Sequence, residues 1–290
     1  MYDLIQILLS GIVTGCLAGL VGFTFTSIYN ATKVINFAQG EFVIVGFFIG
    51  FVFGELLELP YFMIVIFVII CGGGVGLLTN LFLLPLYQKN APFISMIILT
   101  MGLSLIYSGF IGIGTGFEYF KVPSFLPIIA LNIGNITILP QQLLVIATTV
   151  IMVTAYWIFE SKTMLGKALL TTGFNSELAK LLGIHINIMQ FLAFSISGAM
   201  SGIVGLMVGP LSATHALQGL PLVVNGFIAA VFGGLGNPYG AIAGGIIIGI
   251  LNSLVAFYLS PSYAPIIVIS LLLVVLAVFP KGLFAVQEEF

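Results

Sequence analysis

An all-α bundle of membrane-spanning helices is the fold class this sequence predicts, and three observations carry the prediction. Of the 290 residues, 60% are hydrophobic and only 6% charged, whereas a soluble domain carries about 25% charged residues. Apolar runs near the roughly 20 residues needed to cross a bilayer recur from one end to the other. Glycines return at every fourth position, as in Gly11, Gly15 and Gly19; such a stripe lets helices approach closely in lipid, where hiding apolar surface gains little. No soluble domain fits between the runs. Residues 1–290 therefore form a single polytopic transmembrane domain, with about eight to nine spans plus a broken or re-entrant helix.

The charge pattern removes several function classes. Seven lysines, no arginine and a net charge of -2 offer no surface for nucleic acid. Cys16 and Cys71 lie in apolar surroundings and His185 and His215 stand alone, so neither metal-ligand spacing nor a disulfide framework is present. The first residues enter an apolar run without the basic segment and small-residue cleavage site of a secretory signal; the first span is expected to be retained.

In chain order, the first span covers residues 4–29, between Asp3 and Lys33. A polar turn, Asn30 to Glu41, flows into the second span, residues 37–57, closed by Glu55, Glu58 and Pro60. The third span takes residues 61–84, and a short loop from Pro85 to Pro92 makes it the antiparallel neighbour of the fourth, residues 93–113. A longer connection, 114–139, holds Glu118, Lys121, Pro123 and Pro127 and has room for a short interfacial piece. The fifth span follows at 140–159 and the sixth at 189–208. Beyond Pro210 the pattern is irregular: the apolar run from Leu222 meets Gly233-Gly234-Leu235-Gly236 after about a dozen residues, too few for a crossing, and reads as a broken or re-entrant element. Asn237 and Pro238 are placed to cap and start the next helix, to residue 258. The last span covers 263–279. Further glycine stripes occur at Gly46, Gly50, Gly54; Gly72, Gly76; Gly198, Gly202; and Gly236, Gly240, Gly244.

Loops rich in lysine stay in the cytoplasm. Placing residues 160–188 inside also puts Lys33 and Lys89 inside and leaves Lys121 outside, so the N-terminus is expected to be external. Lys281 favours a cytoplasmic C-terminus, although the irregular region near Gly233 leaves the count open.

Residues 160–188 form the longest charge-bearing interruption, with Glu160, Lys162, Lys167, Glu177 and Lys180. Within it, Asn175 to Gly183 reads as a two-turn helix. Asn175 or Ser176 caps it, Leu178, Leu181 and Leu182 share a face, Gly183 ends it, and Glu177 and Lys180 face water. Pattern alone leaves two roles open, an interfacial helix in the headgroups or a helix docking onto a soluble partner.

Polar residues inside the spans are candidates for a pathway: Asn36, Glu41, Thr100, Ser104, Asn225, Asn237 and Asn252. Hydrogen bonds between helices are the commoner task for uncharged ones. Glu41 reads either as a gate or coupling carboxylate or as an interfacial residue paired with Lys33, with Asn36 and Gln39 joining the same turn. The helix start at Pro238 could present free amides to a carboxylate; an ordinary cap explains the same residues. His215 receives no role. With no phosphate loop, catalytic dyad or zinc pattern, the chain is not expected to be an enzyme or to bind a metal or cofactor.

Several motifs together resemble the LivH-type permease of branched-chain amino acid ABC importers. They are Tyr29-Asn30-Ala31, Val34 to Phe42, Thr100-Met101-Gly102-Leu103-Ser104, Gly166-Lys167-Ala168 through Asn175 to Ile184, Phe194 to Gly202, Phe232 to Gly236 and Gly240 to Gly245. The resemblance covers nearly the whole chain. It implies a multi-pass permease subunit of the cell membrane, paired with a second related permease, two cytoplasmic ABC ATPases that use the ATP, and an external substrate-binding protein. Residues 160–188 become the cytoplasmic coupling segment, with Lys167, Glu177, Leu178, Lys180, Leu181, Leu182 and Gly183 as ATPase-coupling residues. Two departures, Lys167 where the family commonly has Arg and Gln39 where it commonly has His, bear on the solute, since relatives move urea or other small polar solutes. An ion-coupled secondary carrier using Glu41 is the competing class.

Overall fold

The computed structural model describes residues 2–89, 91–124, 126, 131–133, 136–280 and 282–284; Asn90, Pro127 and Lys281 lie outside these. Eleven helices account for most of the described chain. They are α1 (Tyr2–Thr32), α2 (Gln39–Phe51), α3 (Tyr61–Gln88), α4 (Phe93–Thr115), α5 (Pro140–Lys162), α6 (Met164–Phe174), α7 (Ser176–Leu181), α8 (Ile186–Val208), α9 (Gly219–Gly233), α10 (Pro238–Tyr258) and α11 (Ala264–Val278). A π-turn, Val52–Leu56, extends α2, and a 3-10 turn, Ala216–Gln218, leads into α9. Among the described residues, eight helices are long and apolar enough to cross a membrane.

Packing divides the chain into two units, one of residues 1–26, 124–150 and 224–290, the other of 27–123 and 151–223. In the first, α1 and α10 run antiparallel in glycine contact. An added Cβ at Gly11 or Gly15 would come within 2.7 Å of the backbone of Ile250 or of Gly245, and one at Gly19 within 3.0 Å of Ile242. Two antiparallel pairs build the same kind of seam in the second unit, where Gly72 of α3 faces Gly198 of α8 and Gly76 faces Phe194. Helices α2 and α8 instead climb together, pairing Gln39 with Ser201, Val43 with Gly205 and Phe47 with Gly209. The stripes read from the sequence are thus contact lines, with Gly236 the exception: it takes a positive φ of 106° in the turn before α10.

Three boundaries differ from expectation. The third span continues through Pro85 to Gln88, because a proline in the last turn costs one hydrogen bond and the helix ends before the loss can propagate. The connection after α4 holds an antiparallel hairpin, Leu131–Ile133 with Ile136–Ile138, where an interfacial piece was expected. The largest correction concerns the supposed broken element. The helical segment begins at Ala216 and runs 18 residues to Gly233, because Pro221 falls in the first turn of α9, where a backbone N–H has no partner to lose. The direction of α10 agrees: it can oppose α1 only if α9 makes a crossing of its own.

The return of the chain bears on α11. After α11, Leu283 N and Phe284 N donate to Phe232 O (3.0 Å) and Gly233 O (3.1 Å), and Asn237 Nδ2 donates to Phe284 O at 2.7 Å. Residues 282–284 therefore rest where α9 ends and α10 begins. Because α10 carries the chain about 31 Å away, the 15-residue α11 brings it back across the same layer. Among the described residues, α11 is thus a ninth candidate crossing beside the eight longer helices.

Candidate functional site

Two places depart from the ordinary sorting of side chains, and both lie in the second unit. The first is the segment between α5 and α8. Sequence periodicity located only its second helix; α6 was missed because Met164, Leu165, Leu170 and Phe174 are scattered among Thr and Gly without a clean stripe. Thr163 Oγ1 caps α6 by accepting from Gly166 N at 3.0 Å. Asn175 Oδ1 caps α7, accepting from Glu177 N (2.9 Å) and Leu178 N (3.0 Å), and Gly183 closes it at φ 78°. Leu169, buried with Ala31, Met189 and Ala193, anchors α6, Gly173 lies against the Asn30 carbonyl, and Ala179 is the buried foot of α7.

The opposite side is apolar and open. Met164 is 86% exposed, Phe174 80%, Leu181 85% and Leu182 66%, with Leu178 also exposed. Lys167, Glu177 and Lys180 are exposed around them. The expected leucine face therefore exists and is extended by Phe174 and Met164. A shallow depression beside it is lined by Lys180, Gly183, Ile184, His185, Ile186, Asn187 and Ile188.

The second place is a polar cluster around the first turn of α2. Four of the seven pathway candidates meet here: Asn36, Glu41, Thr100 and Ser104 are all buried. Asn36 Oδ1 accepts from Ala38 N at 3.1 Å, Phe37 N donates to Thr100 Oγ1 at 3.3 Å, and Gln39 Nε2 donates to Ser201 Oγ of α8. Glu41 is 1% exposed. Its Oε1 accepts from Ser104 Oγ at 2.9 Å, and its Oε2 has no partner among the described residues. A Cβ on Gly219 would fall onto this carboxylate, and one on Gly40 onto the Gly219 carbonyl, so the start of α9 closes directly over Glu41.

The pairing of Glu41 with Lys33 does not form. Lys33 ends α1 at a positive φ of 56° and its Nζ lies 5.7 Å from the Tyr29 ring centroid, while Glu41 points inward to Ser104. The remaining candidates do not join the cluster. Asn237 is committed as a cap, its Oδ1 accepting from Gly240 N at 3.1 Å, and Asn225 and Asn252 are exposed on α9 and α10. His215 is structural: its Nδ1 accepts from Leu217 N at 3.1 Å and its ring meets Tyr119 edge-on at 4.5 Å. Ser201 and Gly219 were not legible as site residues, since a serine among Ser-Gly pairs and a glycine demanded only by space carry no periodic signal.

Comparison with known proteins adds a family. A family model described as branched-chain amino acid transport system / permease component matches residues 7–276. The chain is 29% identical to a probable branched-chain amino acid transport permease protein LivH of Methanocaldococcus jannaschii, covering 97% of this chain and 93% of that one. It is 25% identical to the high-affinity branched-chain amino acid transport system permease protein LivH of Escherichia coli K12, over 98% and 96%. Similarity to the galactose/methyl galactoside import permease protein MglC of Escherichia coli K12 is 24%, over 69% of this chain and 61% of that one.

Proposed function

The chain belongs to the permease-component family of branched-chain amino acid transport systems, and on that premise we propose that it forms half of the translocation path of an ATP-driven importer for branched-chain amino acids. A second related permease supplies the other half, two cytoplasmic ATPases supply the energy, and an external binding protein delivers the solute. End-to-end similarity to branched-chain amino acid permeases, against partial coverage of a galactoside permease, favours the solute class.

One observation carries the mechanical part: the row of exposed apolar side chains on α6 and α7, held outward on a frame of caps and a buried anchor. A helix with a narrow apolar face and few charges fits a groove on a soluble partner. A nucleotide-driven change in that groove moves α6 and α7, and through the cluster of Leu169, Met189 and Ala193 it reaches the start of α8. Lysine placement puts residues 160–188 in the cytoplasm and the first residues outside. Lys281 belongs with the cytoplasmic side on the same rule.

Leucine uptake into ATP-loaded vesicles carrying the assembled transporter tests this directly. Uptake is expected to persist when ion gradients are collapsed and to stop when ATP is removed. Uptake that follows an ion gradient without ATP would overturn it, as would labelling of Lys180 by an impermeant reagent applied outside intact cells.

A further inference from the structure

The cluster at the start of α2 has one unfinished bond. Asn36, Gln39 and Thr100 spend side-chain bonds on backbone, on each other and on Ser201, so the surroundings of Glu41 are fixed in place. The carboxylate itself is buried, one oxygen holds the Ser104 hydroxyl, and the other holds nothing among the described residues. No lysine or histidine among the described residues reaches it. A carboxylate without a counter-charge in a dry, membrane-embedded wall is costly, and the unused bonding positions of Glu41 and Ser104 are acceptors. Those positions are the free Oε2, the second lone pair of Oε1, and the lone pairs of Ser104 Oγ, whose hydrogen already points at Glu41.

Such an arrangement suits a small monovalent cation that brings several donors. An anion would meet the charge of the Glu41 carboxylate itself. A divalent metal takes six to eight oxygens, with more than one carboxylate as a rule, and the described residues hold no group of three His, Cys, Asp or Glu that could share an ion. A primary ammonium offers three N–H donors and matches the acceptors present.

We infer that Glu41 together with Ser104 is the subsite that takes the α-ammonium group of the amino acid in transit, beneath a cover formed by residues 216–219. This rests on the reading of the chain as an amino acid permease and names the contact that reading lacks. Gly219 is the closing piece: it touches the carboxylate and Gly40 together, so the ammonium enters only when the start of α9 lifts. The external connection is tied to that same segment, since Phe120 and Thr214 exchange backbone bonds of 3.0 and 2.9 Å. A displacement of the connection after α4 therefore reaches the cover through a short, hydrogen-bonded path.

The test uses the assembled transporter in vesicles with three measurements: leucine uptake, receptor-stimulated ATP hydrolysis, and inhibition by two half-substrates. Glu41→Gln is close in shape and can still accept from Ser104, so it is expected to keep its membrane level and thermal midpoint while losing leucine uptake roughly ten-fold or more. Glu41→Asp is expected to keep a measurable fraction. In the wild type, 3-methylbutylamine, which has the ammonium without the carboxylate, should inhibit, and 4-methylpentanoate should not; Glu41→Gln should abolish the amine's effect. Wild-type leucine uptake by Glu41→Gln would overturn the subsite alone. Loss of uptake together with thermal stability and ATP hydrolysis in both variants would make Glu41 structural and overturn it as well. Proton influx stoichiometric with leucine and absent in Glu41→Gln would replace the ammonium by a proton. A wild-type transporter that moves urea and not leucine would remove the family-based solute and this subsite together.

Discussion

The α6–α7 segment and the Glu41 cluster invert the usual sorting in opposite senses. At the first, Met164, Phe174, Leu181 and Leu182 stand exposed on short helices. At the second, a carboxylate and a set of amides and hydroxyls are sealed among membrane-spanning helices. Lone exposed apolar residues are ordinary, whereas a grouped apolar surface beside charges and a buried carboxylate with an open acceptor are the informative exceptions. The two differ in what they lack: the outer site wants a surface to cover it and the inner one a positive charge. On the proposed reading of the chain as an importer subunit, the outer site receives force and the inner one holds the cargo.

Substitutions can break this contrast, and the largest effect is expected where the two helices that frame the inner site touch. Gly46→Leu drives a side chain into the Gly202 carbonyl, at a cost of roughly 3 kcal/mol or more. The folded fraction in detergent should fall sharply on size-exclusion chromatography, and a normal elution profile would refute the seam. Next, Leu181→Asp should leave membrane level and melting temperature untouched because the side chain is exposed, yet cut uptake and ATPase coupling about ten-fold or more, as expected for an interface anchor. Full uptake in that variant would end the docking role.

A matched pair of glycines sharpens the comparison. Gly219→Ala places a methyl on the Glu41 carboxylate, an overpacking of about 1–3 kcal/mol, and should depress both melting temperature and uptake. Gly183→Ala has open space but a φ of 78°, which costs about 1 kcal/mol locally, and should weaken ATPase coupling without moving the melting temperature of the spans. Equal effects of the two would mean that the inner and outer sites do not melt separately. Smallest is Asn175→Ala: losing two capping bonds costs about 1 kcal/mol, read as faster amide exchange confined to α7 and a few-fold drop in coupling.

Sequence reasoning reached most of the framework because lipid imposes it. Long apolar runs and four-residue glycine spacing are direct records of crossing and contact, and Asn175, Gly183 and Asn237 act as the caps or closures their chemistry suggests. The misses have equally physical reasons. The run from Leu222 looked too short to cross, yet the helix begins earlier, because Pro221 in the first turn of α9 is harmless there. The strands at 131–133 and 136–138 carried a legible mark, two short alternating runs, that the expectation of an interfacial piece passed over. Glu41 was placed at the mouth of a span because charge is usually near water; its bond to Ser104, 63 residues away, leaves no local mark in the sequence. Helix α6 escaped because its buried anchor is a single leucine.

The hydrogen bonds from Leu283 and Phe284 to the end of α9 bear on how the molecule can be engineered. On the proposed topology, with α11 as a ninth crossing, residues near the beginning and those near 284 emerge in different compartments, so reporters fused at the two places should give opposite readings of phosphatase and fluorescence activity. For the same reason, two copies cannot be strung in tandem by a flexible polar tether. A connector able to do so would itself have to traverse the bilayer.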